Sequence, residues 1–475
     1  MKGEYLEIIS ISEPLNERFT KNSIKWVDDI EKRHIEIIER EKTIEITFSN
    51  NEVRKYGYTT YDKICNTEKI CNTEKINLNF TYIKDLSVEC KEIILDSQYS
   101  FFDGDTQFIG CNFLNHNVNF NNCIFKGDIL NFTSSVFEGN VIFELSTVLV
   151  NEVNFDYIKL NYNELCFKST FFLSDLVSFY KVKVCSHVEF YRTKLPMAML
   201  VFRESDLDNK KVIFNKVVVH RFVIKNCIIN CHLSIKLEKV NYIAINGCII
   251  HGTVNMDTIQ FSNVKGLNLV RTRIIGQIYI HWSKELKQAI NQGIAFKYVE
   301  EITTFINPSN KELAEQFVLL KENFSNLGQY GDEDNSYVEF KRYEALSKLD
   351  RCKSQNVFCR NFGRFKYYGQ RVIYDLVGGY GTKPMSVFIT MIIVWLGFAG
   401  IYACFPNVEL GFSEKLAGID KIKHIYFSVI TFLTIGYGDI SPLNDLSALL
   451  SMVEGFLGIF LMSYFTVSFV RKLLR

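Results

Sequence analysis

Phe120, Phe132, Phe143, Phe155, Phe167, Phe179, Phe190, Phe202 and Phe214 follow one another at intervals of 11 or 12 residues. A second series, Phe113, Phe125, Phe137, Leu160 and Phe172, trails the same rows by five residues. No helical period produces alternating gaps of five and seven. Short strands separated by turns do, with Asn, Asp, Ser and Gly in the outward positions. One such row cannot bury its own rings, whereas stacked rows bury them in a continuous column. The pattern is clear over 107–212 and weaker to about Ile280. Two rows per coil, with coils ~4.8 Å apart, would make 107–280 a rod of roughly 30–40 Å.

The five-residue unit in pairs such as Phe120/Phe125 and Phe132/Phe137 resembles the pentapeptide-repeat family. That resemblance implies a right-handed β-solenoid over 101–280. The extra one or two residues per row depart from the family's strict repeat, so a square cross-section is not carried over. Some members resemble DNA in shape and charge. This chain has a formal net charge of +1 and its solenoid is not strongly acidic, so neither DNA mimicry nor nucleic-acid binding is expected. Residues 1–100 form a polar region in which Glu36–Phe48 alternates like a strand and would cap the solenoid's first edge. Within it the hexapeptide of Ile64–Lys69 is repeated at once at Ile70–Lys75. The first residues, Met1–Tyr5, show no apolar signal region. The histidines His116, His187, His220, His232 and His251 fall at unrelated row positions, which argues against a metal site. The 13 cysteines show no CxxC pair and read as small apolar side chains in a reducing compartment. No nucleophile–base pair, phosphate loop or Ca²⁺ loop stands out, so no enzyme and no organic cofactor is expected.

From 281 the period changes. Residues 310–320 read as a helix with Ser309 or Asn310 as N-cap, and Ser336–Leu349 as a second helix. Gly331–Asn335 reads as the turn between them, and 281–361 together as a helical connector. Residues 362–383 are aromatic and basic and end in Gly378-Gly379-Tyr380-Gly381. That composition suits a segment lying along the inner leaflet of a membrane.

The chain then becomes apolar. No charge occurs between Lys383 and Glu409, enough for the ~20 residues that cross ~30 Å of hydrocarbon. A second stretch, 446–470, is interrupted only by Glu454. Lys366, Arg371 and Lys383 precede the first span, and Arg471, Lys472 and Arg475 follow the second. The positive-inside rule therefore places both termini in the cytoplasm. Neither span carries the Arg repeat of a voltage sensor. Between the spans, 424–434 is apolar but too short to cross, which predicts a re-entrant helix.

Thr434-Ile435-Gly436-Tyr437-Gly438-Asp439 follows that segment. Together with the aromatic run Tyr426–Leu433 it resembles the filter of potassium channels, in the two-span pore module of prokaryotic tetrameric members. Gly436 and Gly438 can adopt left-handed conformations that alternate with ordinary ones, turning successive carbonyls to one side. The resemblance implies a homotetramer in the bacterial plasma membrane. It implies K⁺ ions held by rings of oxygens from Thr434, Ile435, Gly436 and Tyr437, with Gly438 and Asp439 supporting them. Gly458 falls at the family's inner-helix hinge and reads as a hinge or as a packing glycine; Glu454, one turn before it, reads as a structural hydrogen-bonding group behind the pore helix or as a gating residue, so both are gating candidates. Ile430 stands where some members have a Glu paired to the filter Asp, and Leu433 where a Thr is frequent. Lys341–Glu344 and Gly379–Pro384 also resemble the connector of bacterial proteins that join pentapeptide repeats to such a pore.

The expected whole is a multidomain membrane protein: β-solenoid, helical connector, interfacial segment, outer helix 384–405, pore helix and filter 424–440, inner helix 446–470. Its expected function is potassium conduction. A poorly selective cation channel and a membrane-anchored scaffold with an inactive pore are the alternatives. The N-terminal region would regulate or assemble the pore, or dock a cytoplasmic ligand or protein. Force from the solenoid would reach the pore through the connector and the outer span.

Overall fold

The structure is a computed structural model. It describes residues 36–40, 43–47, 53–60, 74–79, 81–89, 92–160, 164–184, 187–208, 211–293, 308–353, 357–405, 408–412 and 422–474. Most of the duplicated hexapeptide, Met1–Tyr5, Arg475 and the charged loop 413–421 lie outside these residues. The chain divides into two compact units, Met1–Gly328 and Gln329–Arg475.

The first unit is a parallel β-solenoid. Phe143 pairs with Phe167, Phe167 with Phe190 and Phe214 with Ile235, so one coil takes 21–24 residues, two sequence rows. Each coil contributes four short stretches to four ladders, as at Thr147–Val148, Glu152–Asn154, Lys159–Leu160 and Leu165–Lys168. The main Phe series therefore splits. Phe108, Phe132, Phe155, Phe179 and Phe202 stack in one column, with ring centroids 4.6–5.4 Å apart. Phe120, Phe143, Phe167, Phe190 and Phe214 stack in a second, at 4.6–5.1 Å. Between columns the rings meet edge to face, as Phe143 meets Phe155 at 6.2 Å. Both geometries suit the ring quadrupole and add about 0.5–1.5 kcal/mol per pair beyond area burial.

Every row turns its corner two residues after the column residue, in the left-handed region. Asn122, Ser134, Leu145, Tyr157, Ser169, Lys181, Arg192 and Glu204 have φ between 49° and 62°. The next residue is often a buried Ser, Thr or Cys that donates to a carbonyl of the preceding coil. Ser135 bonds Phe108 O at 2.8 Å, Thr170 bonds Phe143 O at 2.6 Å, and Thr193 bonds Phe167 O at 2.7 Å. Cys227 and Cys248 make the same contact with Phe202 O and Ile224 O, at 3.5 and 3.4 Å. These cysteines are thus corner residues. Burial pushes the Cys123 thiol, at another such corner, up to about 12.

The coil begins earlier than 101. Strand Thr81–Glu89 already pairs in parallel with Phe101–Ile109, and Val53–Thr60 pairs with Thr81–Glu89. The early rows carry Ile83, Leu86, Val88, Ile93 and Leu95 in their buried positions instead of Phe, which hid the repeat. Strands Glu36–Arg40 and Thr43–Thr47 form an antiparallel hairpin on Val53–Thr60. At the other end, helix Asn310–Asn326 lies on the last coil. Gln316 Oε1 accepts from Leu269 N at 2.8 Å, and Asn323 both accepts from Ile278 N at 2.8 Å and donates to Ile278 O at 2.7 Å. Side-chain amides thereby occupy a backbone edge that would otherwise be open to another strand. Ser309 caps this helix, in a capping box with Glu312.

The second unit is helical. A helix spans Tyr330–Lys353, so the expected turn at Gly331–Asn335 is instead its first turn. Its acidic residues there, Asp332 and Glu333, suit the positive end of the helix dipole. Helix Val357–Gln370 runs into a wider π-type turn, Arg371–Leu376, then an elbow. Gly379, Tyr380 and Gly381 are all left-handed in this elbow. Helices Pro384–Cys404 (the outer helix) and Asp445–Leu473 (the inner helix) are long and apolar enough to cross a bilayer. The 10-residue helix Lys423–Phe432, the expected pore helix and so labelled below, sits between them in sequence and packs on both.

Candidate functional site

The pore helix ends at Phe432, and the following backbone alternates. Thr434, Gly436 and Gly438 have φ of 56°, 57° and 79°. The left-handed residues thus number three, because Thr434 joins the two glycines. A non-glycine in that region is held there by its surroundings; Thr434 N bonds Thr431 O at 3.0 Å and Ile435 N bonds Ile430 O at 2.8 Å.

Asp439 closes the segment. The Tyr426 hydroxyl donates to its Oδ2 at 2.7 Å, so the pore helix reaches the end of the filter segment through a phenol, on the side where Ile430 offers no carboxylate. Directly afterwards, Ile440–Pro442 pairs antiparallel with Leu410–Phe412. This ribbon joins Tyr402, Val408, Leu410, Phe427 and Ile440 in one apolar cluster. Nothing in the sequence announces it, since three-residue strands carry too little pattern.

Behind the pore helix lies Glu454, wholly buried. The Tyr402 hydroxyl donates to its Oε2 at 2.8 Å. Ser428, on the pore helix, is hydrogen-bonded to Oε1, and Ser428 Oγ also lies 2.6 Å from Trp395 O. One carboxyl therefore ties the inner helix to the outer helix and to the pore helix. An intramembrane carboxyl is tolerated when its oxygens are satisfied in this way. Neither partner was foreseen, because they lie 26 and 52 residues away in sequence.

Gly458 sits one turn further along. A Cβ there would fall 1.9 Å from Phe432 O, the last carbonyl of the pore helix. Gly455, by contrast, would place its Cβ 3.8 Å from Thr431 O. Gly458 is thus a point of close helix–backbone approach.

The flanks of the filter segment are bare in one chain. Tyr437 is 70% exposed and Ile435 47%. No atom lies within 4 Å of a Cβ built on Gly436 or Gly438. Both side chains are therefore largely uncovered within a single chain. Among the described residues, no group of three or more His, Cys, Asp and Glu side chains is placed to hold a metal.

No curated protein and no solved structure matches this chain. A family model described as ion channel matches residues 390–475, which take in most of the outer helix, the pore helix, the filter segment and the inner helix. The chain is a membrane-embedded protein in which a repeat β-solenoid is linked through helices to a two-span module that matches the ion-channel family model.

Proposed function

We propose that the chain is one quarter of a homotetrameric, potassium-selective pore with both termini in the cytoplasm. The observation that carries this reading is the alternating left-handed backbone at Thr434, Gly436 and Gly438, between a non-crossing pore helix and the inner helix. Alternation turns the carbonyls of Thr434, Ile435, Gly436 and Tyr437 toward one side, where four copies would form rings of oxygens in place of an ion's water shell. Irregular backbone at membrane depth is not tolerated against lipid. The exposed flanks of Ile435 and Tyr437 therefore call for neighbouring copies around a common axis. Gly438 and Asp439, the latter held by Tyr426, would brace the outer end. Glu454 and Gly458 would set the position of the pore helix, and through it the filter.

The segment 362–376 would lie along the inner leaflet. Phe362, Phe365, Tyr368, Val372 and Leu376 are all more than half exposed, interspersed with Arg364, Lys366 and Arg371. This mixture matches the boundary between headgroups and acyl chains. The solenoid would regulate or assemble the pore.

The test is conduction by the full-length protein in lipid vesicles. A reversal potential that follows the K⁺ gradient over the Na⁺ gradient is expected. A potential indifferent to which of the two ions is present would refute selectivity, and absence of flux would leave only a membrane-anchored scaffold.

A further inference from the structure

The C-terminal end of the inner helix is gripped by the connector of the same unit. Arg471 Nη2 lies 3.2 Å from Asp334 Oδ1, and the guanidinium sits 4.5 Å from the centroid of the Tyr337 ring. The ion pair is largely withdrawn from water, with side-chain exposures of 24% and 18%. Two turns back along the inner helix, the Tyr464 hydroxyl donates to Tyr374 O at 3.0 Å. The neighbouring Asp375 takes Nε and Nη2 of Arg342, on the Tyr330–Lys353 helix, at 2.8 and 2.7 Å. Glu339 holds the remaining side of Arg342 at 2.7 Å. At the elbow, a Cβ on Gly378 would come within 2.8 Å of the Tyr464 ring, so these surfaces are in direct contact.

The position matters as much as the chemistry. A helix of 29 residues is about 44 Å long, against ~30 Å of hydrocarbon, so its last turns project beyond the apolar layer. In the pore reading above, on which this inference rests, those turns are where four inner helices converge.

We infer that Asp334, Tyr337 and Arg342 are positioning residues for the gate. They hold the last turns of the inner helix from the N-terminal side of the chain, without passing through the outer span. The route expected from the sequence ran through that span; the contacts supply a shorter one. If the inner helix swings, the pair must travel together or part. Parted, the Arg471 guanidinium loses both its carboxylate and its aromatic face. Displacement of the connector helix and displacement of the inner helix are thereby coupled.

The experiment uses full-length protein in planar bilayers, with D334R, R471D and the double exchange D334R/R471D. Each single variant breaks the same contact. Both should shift the closed-to-open ratio in the same direction, by about tenfold, with K⁺ over Na⁺ selectivity unchanged. The double exchange should restore most of the ratio. A role confined to folding would change the yield of assembled channels but not the ratio within each channel. Single variants that gate like wild type, or a double exchange no nearer wild type than the singles, would overturn the inference. A second arm needs no current. R471K places an amine against Asp334, so a zero-length carbodiimide should join the two, and R471K/D334N should abolish the joined peptide. The joined peptide without K⁺ current in the wild type would refute the pore, and with it the gate, while leaving the contact standing. Current without the joined peptide would refute the contact alone.

Discussion

Replacing Gly458 by alanine tests the arrangement behind the filter more sharply than any other single change. The added Cβ would sit 1.9 Å from Phe432 O, and ordinary contact begins at 3.4 Å. Backbone must therefore withdraw by about 1.5 Å if the rest is fixed. The obstacle is a carbonyl, so no rotamer change relieves it. Overpacking of this size costs about 1–3 kcal/mol, offset by about 1 kcal/mol because alanine is the better helix former. The net loss is modest, about 0–2 kcal/mol per subunit. The displacement is not modest, because Phe432 lies two residues before Thr434. Oxygen rings that replace a hydration shell depend on the position and number of their carbonyls. G458A should thus lower K⁺ over Na⁺ selectivity, measured as a reversal potential, and lower the melting temperature of the assembled protein. A pure hinge would behave otherwise: open probability would fall with selectivity intact. G455A is the control, since its Cβ meets Thr431 O only at 3.8 Å. If G458A matched both wild type and G455A in selectivity and melting, the close approach would be refuted.

The Glu454 network gives a second expectation. E454Q keeps an oxygen for Tyr402 and offers an NH₂ to Ser428, and it should assemble and conduct nearly as wild type. E454A removes the carboxyl that accepts from Tyr402 and leaves Ser428 only Trp395 O, at a cost of about 1–3 kcal/mol, and should lower the melting temperature of the assembled channel. In the solenoid, F155A removes a fully buried ring stacked on Phe132 and Phe179 at 5.2 and 5.0 Å. It should cost about 3–5 kcal/mol, read by denaturant titration. L145N should do the reverse by about 0.5–1 kcal/mol in the same titration, because Leu145 is exposed at φ 55° where asparagine is better tolerated. Thiol labelling of folded protein at neutral pH, read by mass spectrometry, should modify Cys404 first and Cys352 next among the eight described free cysteines. Cys111, Cys123, Cys166, Cys227, Cys231 and Cys248 are buried and should label only on unfolding.

The Phe spacing made the stack legible because a coil's period is written locally, in each row. It did not show that successive rows face different columns, since a spacing of 12 fits one column or two. The corner donors were also in plain sight as Ser135, Ser146, Thr170 and Thr193, each three residues after a column Phe. They were missed because Cys123 and Cys227 fill the same role and looked scattered. The acidic run at 331–335 misled, because Gly and Asp serve turns and helix starts alike. At the filter, the glycine pattern conveyed the backbone alternation, whereas the left-handed Thr434 depends on hydrogen bonds from the pore helix end. A structural bond at Glu454 and a packing role for Gly458 were among the expectations, but the partners of Glu454, Gly458 and Arg471 were illegible for a common reason. Each tie joins groups brought together only by packing of whole helices, and one sequence holds no record of which helix faces meet.

The coil with its repeated corner makes the solenoid a ruler with fixed graduations. Each turn satisfies its neighbours through the same ladders and the same corner bond, so any turn can be followed by another of its kind. Duplication or loss of one 21–24-residue turn would lengthen or shorten the unit by about 4.8 Å and leave both capped ends intact. Its reach can therefore evolve in whole steps, one turn at a time. A partial turn would misalign every ring beyond the break, so intermediate lengths are closed to it.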